Sequence, residues 1–372
     1  MRACRVVTSE MSARILIAAQ LQAIDEISWT VVAGDAATVE LPGVEHVRVA
    51  MRRELSWTDA TAVVALFRYF RANRFAFVQT HTPKASMLAL PAARIAGHRT
   101  IYTMHGALYF RGNRRLANVA GWLFERWCCT WAHVVSMQSL EDTEVLPRVL
   151  LCPRRKVRYQ GNGIDLERFS RPAPPASPIA PRLPVVLNIS RLVSEKGCLD
   201  FFTVAEHLAG QARFIHVGPT EADQRDAVKA SLIRSLGERG IVEFVGEVED
   251  VRPYLADADL FVLPSYREGI PRACMEAAAT GVAVVAYDVR GVREVVAPGL
   301  GLLAPRGDTT ALIAIVSGLL HDPGRRGAAA TACEAWVRSR FDERLVYERL
   351  RGIYADVLAH DRSTHAPEEA AV

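Results

Sequence analysis

Short apolar runs rich in Val and Ile alternate with longer segments of helical periodicity along almost the whole chain. The runs predict strands at 5–8, 30–33, 47–49, 75–79, 100–104, 133–136 and 157–160, and, after a break, at 185–189, 213–217, 242–245, 260–263 and 282–286. Between them the spacing of apolar positions predicts helices over 58–72, 84–96, 139–149, 221–238 and 270–280. Runs this short, bounded by turn residues, suit strands buried on both faces. A strand–helix–strand order implies a parallel sheet covered by helices on each side. The series occurs twice.

The break is the segment 171–184, RPAPPASPIAPRLP, with six prolines in 13 residues. Proline at that density excludes both a helix interior and a sheet ladder, and makes a semi-rigid connector. The chain therefore divides into a first domain over 1–170, the linker, and a second domain over 185–340. A helical pattern within 341–358 is placed to pack back on the first domain, and 359–372 reads as a disordered tail. Two such doubly wound α/β domains would face each other across a cleft at the carboxyl ends of their strands, so the chemistry belongs in loops just after strands.

Composition refines this picture. The 372 residues suffice for two domains, and 50% are hydrophobic. The net charge of +4 is uneven: 22 Lys and Arg against 14 Asp and Glu in 1–170, and 23 against 27 beyond. A basic first half favours anionic partners such as a membrane surface or a phosphate-bearing acceptor, or reflects arginines on solvated helix faces. The seven cysteines contain no C-x-x-C pair and read as reduced core residues of a cytoplasmic protein. No apolar run reaches the roughly 18 residues that span a bilayer, and none resembles a signal peptide, so any membrane contact is expected to be peripheral. Trp122, Phe124, Trp127 and Trp131, near Arg114, Arg115 and Arg126, form a stripe that suits core packing or a membrane interface. No G-x-G-x-x-G or Walker pattern occurs, and neither a cofactor nor a nucleic-acid partner is expected.

The most informative segment is Glu268-Gly-Ile-Pro-Arg-Ala-Cys-Met-Glu276, directly after the strand at 260–263. Pro271 suits the first turn of a helix, which places Glu268 in the preceding loop and Glu276 one to two turns in. A carboxylate accepts paired hydrogen bonds from neighbouring hydroxyls, while the free N–H groups of Gly269 and Ile270 suit a diphosphate. Small and apolar neighbours surround Glu276, and a carboxylate in such company needs a partner.

Here the chain resembles the retaining glycosyltransferases of the GT-B fold, family four. The resemblance runs through FVLPSYREGIPRACMEAAATGVAVVAYDVRGVREVV (261–296), HTPKASMLALPAARIAG (81–97), TMHGALY (103–109), GNGIDLERF (161–169), NISRLVSEKG (188–197) and VEFVGEVEDVRPYLADADLFVLPS (242–265). It implies that Glu268 binds the donor sugar's hydroxyls, that Glu276 binds the ribose, and that Arg191 and Lys196 grip the diphosphate without a metal. Positive side chains there would stabilise the charge of a departing diphosphate. The resemblance also implies that His105 meets the donor sugar and its oxocarbenium-like transition state. Lys84, at a helix start where a cation is disfavoured unless an anion is near, is a candidate phosphate contact. Relatives commonly carry a glycine-rich loop after the first strand. This chain has Thr8-Ser-Glu-Met-Ser-Ala-Arg14, where Ser12 or Arg14 would serve instead. The implied activity moves a hexose or N-acetylhexosamine from a nucleotide diphosphate sugar, UDP-linked, to a lipid-linked sugar acceptor at the inner membrane face. A non-hydrolysing UDP-sugar epimerase and a non-catalytic sugar-nucleotide-binding partner subunit are the alternatives that the same architecture admits.

Overall fold

The computed structural model describes residues 1–9, 12–13, 16–34, 41–51, 56–108, 115–171, 182–221, 224 and 226–362. The chain forms two compact units, Met1–Gly161 with Arg344–Val372, and Asn162–Glu343.

The first unit is built on seven parallel strands: β1 (Arg2–Val6), β2 (Ser28–Ala33), β3 (Val44–Arg48), β4 (Phe77–Thr80), β5 (Arg99–Met104), β6 (Val134–Met137) and β7 (Val157–Tyr159), in the order β3-β2-β1-β4-β5-β6-β7. Its helices include Asp59–Ala72, Pro83–Ile95, Arg115–Trp131 and Leu140–Val149. The second unit has six strands: β8 (Val185–Ile189), β9 (Arg213–Val217), β10 (Glu243–Gly246), β11 (Leu260–Leu263), β12 (Ala283–Tyr287) and β13 (Leu303–Ala304), ordered β10-β9-β8-β11-β12-β13 and again parallel. The central strands are buried along nearly their whole length, as β11 and β12 show. That is why they read as unbroken apolar runs.

The helix Glu343–Arg362 belongs to the first unit. Val346, Leu350, Ile353 and Val357 recur at helical spacing and join Ala3, Ile17 and Trp29 in one core cluster. The units divide at Gly161 and Asn162, ahead of the proline-rich segment, of which 172–181 lie outside the described residues. The chain from Asn162 onward is tied to the second unit through Ile164, whose N–H donates to the Phe341 carbonyl at 2.9 Å and whose carbonyl accepts from Glu343 N–H at 3.1 Å.

Three elements differ from the sequence expectation for identifiable reasons. β1 begins at Arg2 because Arg2 and Arg5, which interrupt the apolar run, both find partners, and Arg5 is fully buried. The helix expected over 221–238 begins at Ala230. The residues before it bond the loop after β8 instead, with Ser194 N–H on Asp226 O at 2.8 Å and Val228 N–H on Leu192 O at 3.0 Å. The two-residue β13 carries too little pattern to be read. Among the described residues, no helix is long and apolar enough to cross a membrane. In the Trp-bearing helix, Trp122 and Trp131 pack against a core cluster, while Trp127 is 44% exposed.

Candidate active site

In each sheet the chain reverses its direction of growth once, between β1 and β4 in the first unit and between β8 and β11 in the second. Loops that leave neighbouring strands in opposite directions open a crevice at the strands' carboxyl ends, where open α/β sheets bind ligands.

In the second unit the crevice is formed by the loops after β8 and β11. Gly197 has a left-handed φ of +69°, and a Cβ there would lie 1.8 Å from the Pro264 carbonyl oxygen. Only glycine allows the two loops to touch at this point. The contact brings Lys196 Nζ to 2.7 and 2.9 Å from the two carboxylate oxygens of Glu268. Next to this pair, Arg267 bonds Glu195. Burial pushes the Glu195 carboxyl up, but Arg267 and the neighbouring Lys196 and Arg191 outweigh it and leave it below its usual range. Arg191 holds Glu221 at 3.0 Å.

Glu276 lies on the helix Arg272–Ala279, which Pro271 caps from outside with extended backbone rather than opening as its first turn. The residue is 9% exposed, and its carboxylate accepts from Arg272 Nε at 3.0 Å. Burial raises its pKa, and Arg272 opposes this only in part. The N–H groups of Gly269 and Ile270 have no acceptor among the described residues. They precede the helix start, where the unbonded N–H groups of the first turn collect partial positive charge.

The second unit thus brings together Lys196, Glu268, Gly269, Ile270 and Pro271, with Arg191 and Glu276 on the adjoining loop and helix. Sequence reasoning missed the glycines that make this possible. Gly291 has φ +76°, and a Cβ there would fall 1.3 Å from the Gly269 carbonyl oxygen. Gly218, after β9, would meet the Ser190 carbonyl at 1.9 Å. For Gly218, its place directly after β9 was the available signal. Also unread were Glu221, the partner of Arg191, and Asp200, which accepts from Tyr266 at 2.6 Å and Tyr287 at 3.0 Å and braces the loop after β11. A D-x-D triplet does occur at Asp257-Ala258-Asp259, at the amino end of β11. Its carboxylates are engaged by Arg182, at 3.4 and 3.0 Å, away from the crevice.

In the first unit, the crevice between β1 and β4 is closed by a threonine pair rather than by glycine. Thr8 N–H donates to Thr82 Oγ1 at 2.9 Å, and the two hydroxyls lie 2.6 Å apart. Ser12 bonds Ser9 at 3.0 Å, and Arg14 lies outside the described residues. Lys84, buried at this helix start, pairs with Asp59. His105 follows β5, with its Nε2 3.3 Å from His81 Nδ1. Burial pushes the His105 pKa down to about 4, helped by the charge of Arg5 and opposed by Gln138. His81 is lowered by the same burial and by Arg5. Both rings are therefore neutral near pH 7 and present hydrogen bonds rather than charge.

A family model described as Glycosyltransferase Family 4 matches residues 16–168, and one described as Glycosyl transferases group 1 matches 183–322. The chain is 26% identical over 249 residues to an Escherichia coli UDP-Gal:alpha-D-GlcNAc-diphosphoundecaprenol alpha-1,3-galactosyltransferase, covering 63% of each. It is 32% identical over 177 residues to a Campylobacter jejuni N,N'-diacetylbacillosaminyl-diphospho-undecaprenol alpha-1,3-N-acetylgalactosaminyltransferase, covering 47% of this chain and 45% of that one. The matches thus span about half to two thirds of these relatives' length. Among solved structures, Anabaena HepE in complex with UDP and glucose superposes with a TM-score of 0.79 at 18% identity, covering 95% of this chain and 99% of that one. Likeness of this extent shows the fold, which is GT-B.

Proposed function

Since the chain belongs to the family-four glycosyltransferases of the GT-B fold, we propose that it is a retaining, metal-independent glycosyltransferase. In this reading it moves a hexose or N-acetylhexosamine from a UDP-linked donor to a hydroxyl of a lipid-linked glycan at the cytoplasmic membrane face, in bacterial polysaccharide synthesis. The relatives named for diphosphoundecaprenol acceptors support the acceptor class, and the UDP complex of HepE supports the donor.

The observation that carries the reading is the contact of Lys196 with Glu268 at the switch point of the second sheet, beside the unbonded N–H groups of Gly269 and Ile270. A diphosphate entering there competes with Glu268 for Lys196. Its oxygens take the lysine together with the helix-start N–H groups, and Glu268 is released to accept hydrogen bonds from the sugar. Arg191 adds a second cation once it turns from Glu221. Glu276, short of hydrogen-bond donors in its buried position, takes the ribose hydroxyls. As the bond to the sugar breaks, charge collects on the diphosphate, and these fixed positive groups stabilise it without a metal. The leaving phosphate accepts the acceptor's proton on the same face, so no protein nucleophile is needed. His105, neutral, is assigned to hydrogen bonding rather than to proton transfer as a cation.

The test is a panel of nucleotides and nucleotide sugars scored by thermal shift, with and without EDTA. Stabilisation by UDP and UDP-sugars that survives chelation, and is lost in Lys196→Ala, is expected. Binding that disappears with EDTA and returns with manganese would overturn the metal-free assignment. Conversion of a UDP-sugar in the absence of any acceptor would show an epimerase.

A further inference from the structure

β4 and β5 are parallel neighbours, and His81 and His105 leave their carboxyl ends side by side, next to the switch point of the first unit's sheet. His81 is anchored there. It is 3% exposed, and its backbone N–H donates to the Val6 carbonyl of β1 at 3.1 Å. His105 is the more exposed of the two. The ring centroids lie 5.5 Å apart, and His81 Nδ1 stands 3.3 Å from His105 Nε2.

Burial and the buried charge of Arg5 keep both rings neutral near pH 7. A neutral imidazole has one N–H and one lone pair, so across this contact one ring donates and the other accepts. If His105 donated from Nε2, His81 would carry its own proton on Nε2. That nitrogen is buried and has no partner, and an N–H without an acceptor is rarely left inside a folded chain. If instead His81 donates from Nδ1, His105 carries its proton on Nδ1. The Gln138 side chain favours the protonated His105 ring, as an amide oxygen that accepts from a ring N–H does. With Nε2 taken by His81, the nitrogen left for Gln138 is Nδ1. Only in this second arrangement do both ring protons have acceptors.

The use of His81 also differs from that of a histidine kept to hold the core. His98, equally buried, has its two nitrogens 3.1 and 2.8 Å from the backbone carbonyls of Phe75 and Phe70. Among the described residues, the His81 ring has one hydrogen-bond partner, and it is a residue of the candidate site.

We propose that His81 is a positioning residue for His105: it occupies the Nε2 lone pair and so fixes His105 as the Nδ1–H tautomer. This rests on the reading of His105 as a group that meets the donor sugar, and it narrows that role. His105 then has no lone pair with which to take a proton from an acceptor hydroxyl. The one hydrogen bond it can offer a sugar oxygen is the Nδ1–H that meets Gln138.

The test reads the tautomer itself. The full chain is labelled with 15N-histidine, two-bond proton–nitrogen correlation spectra report which ring nitrogen is protonated, and His105 is assigned by its absence from His105→Gln. The wild type is expected to show a protonated Nδ1 and a bare Nε2. His81→Asn, whose amide N–H stands close to the place of Nδ1–H, is expected to keep that tautomer, and His81→Leu to lose it in favour of a mixture. UDP release is then followed from whichever of UDP-glucose, UDP-galactose and their N-acetyl forms the wild type consumes. His81→Leu should slow it about tenfold or more with the UDP dissociation constant unchanged, and His81→Asn should recover most of the loss. A wild-type His105 protonated on Nε2 overturns the proposal. So does a tautomer that His81→Leu leaves in place, or a turnover that the Asn and Leu variants lower equally. If His81→Leu does not fold, the spectra of the wild type and of His81→Asn decide, and loss of the Nδ1–H form in the latter overturns the proposal. A wild type that consumes none of these donors counts against the glycosyltransferase reading, while the tautomer still decides the role of His81.

Discussion

Replacing Lys196 by methionine isolates the contact on which the donor site depends. Lys196 Nζ lies 2.7 and 2.9 Å from the two oxygens of Glu268, and the side chains are 22% and 10% exposed. At about 2.8 Å an effective dielectric of ~20 gives an attraction on the order of 6 kcal/mol, which the loss of hydration on both groups largely offsets. The pair as a whole is therefore worth little, but half of it is expensive. Removing one partner of a fully buried pair costs about 3–5 kcal/mol, and the residual exposure of Lys196 brings the expectation for Lys196→Met to about 2–3 kcal/mol. Lys196→Met/Glu268→Gln, which leaves no stranded charge, should return to within about 1 kcal/mol of wild type. For a unit of this size each kcal/mol moves a melting midpoint by about 2–4 °C, so the single variant should lose about 4–12 °C from the second unit's transition. Calorimetry of the full chain measures this, with hydrogen exchange locating the loss at the β8 and β11 loops. If the two single substitutions add to within about 0.5 kcal/mol in the double variant, the side chains are not coupled. The assignment of Lys196 as the cation that a diphosphate must draw off Glu268 then fails with them.

Gly291→Ala should abolish nucleotide stabilisation, since its Cβ would sit 1.3 Å from the Gly269 carbonyl, whereas Gly240→Ala, with φ +66° but open space, should cost only about 1–2 kcal/mol; equal effects in urea titrations and nucleotide-binding assays would show that the close approach is not needed. Glu276→Gln should weaken UDP binding about tenfold and flatten its pH dependence: ribose hydroxyls favour the carboxylate, so wild-type affinity falls as the pH drops through Glu276's raised pKa, and calorimetric titration across that range checks this. His105, His133 and His216 sit at about 4 in the folded chain against ~6.5 unfolded. The unfolded state then binds more protons between these values, so stability is full above pH ~6.5 and is lost as the pH falls toward 4, by up to about 3 kcal/mol for the fully buried His216. Urea midpoints that stay level across that window would contradict it. His105→Ala should lower turnover while leaving the UDP dissociation constant unchanged; a parallel loss of UDP affinity would place the ring with the nucleotide.

The two α/β series were legible in the chain because parallel strands buried on both faces must be continuously apolar, and β8, β9 and β11 fall where the pattern put them. Glu276 stood out for a related reason, since a carboxylate among small and apolar residues is costly without a partner, and Glu268 stood out by its place in the loop after β11. What escaped the sequence is what only the folded chain brings together. Arg5 stood at the start of the expected first strand, yet it lies at the heart of the first unit, with Gln20 at 2.8 Å, the Tyr354 hydroxyl at 2.6 Å and its guanidinium over Trp29. Tyr354 comes from the C-terminal helix, and its hydroxyl donates on to Gln79 of β4. No local pattern links positions so far apart.

Lys84 carries the same lesson with the opposite outcome. A lysine at a helix start did signal a nearby anion, and Asp59, on a different helix of the same unit, is one. The physical rule was sound, and the sequence left open who satisfies it. Lys196 differs in a decisive respect. Its partner Glu268 also belongs to the loop that presents unbonded N–H groups, so exchanging the carboxylate for a diphosphate leaves both anions with donors. Among the described residues, Asp59 accepts only from Lys84 and from Ser56 N–H, the latter at 3.0 Å. A cation that can give up its partner at low cost is suited to ligand binding, and one that cannot is suited to holding two helices together. By that criterion the proposed donor site suits Lys196, while Lys84 pairs with Asp59 across two helices of the first unit.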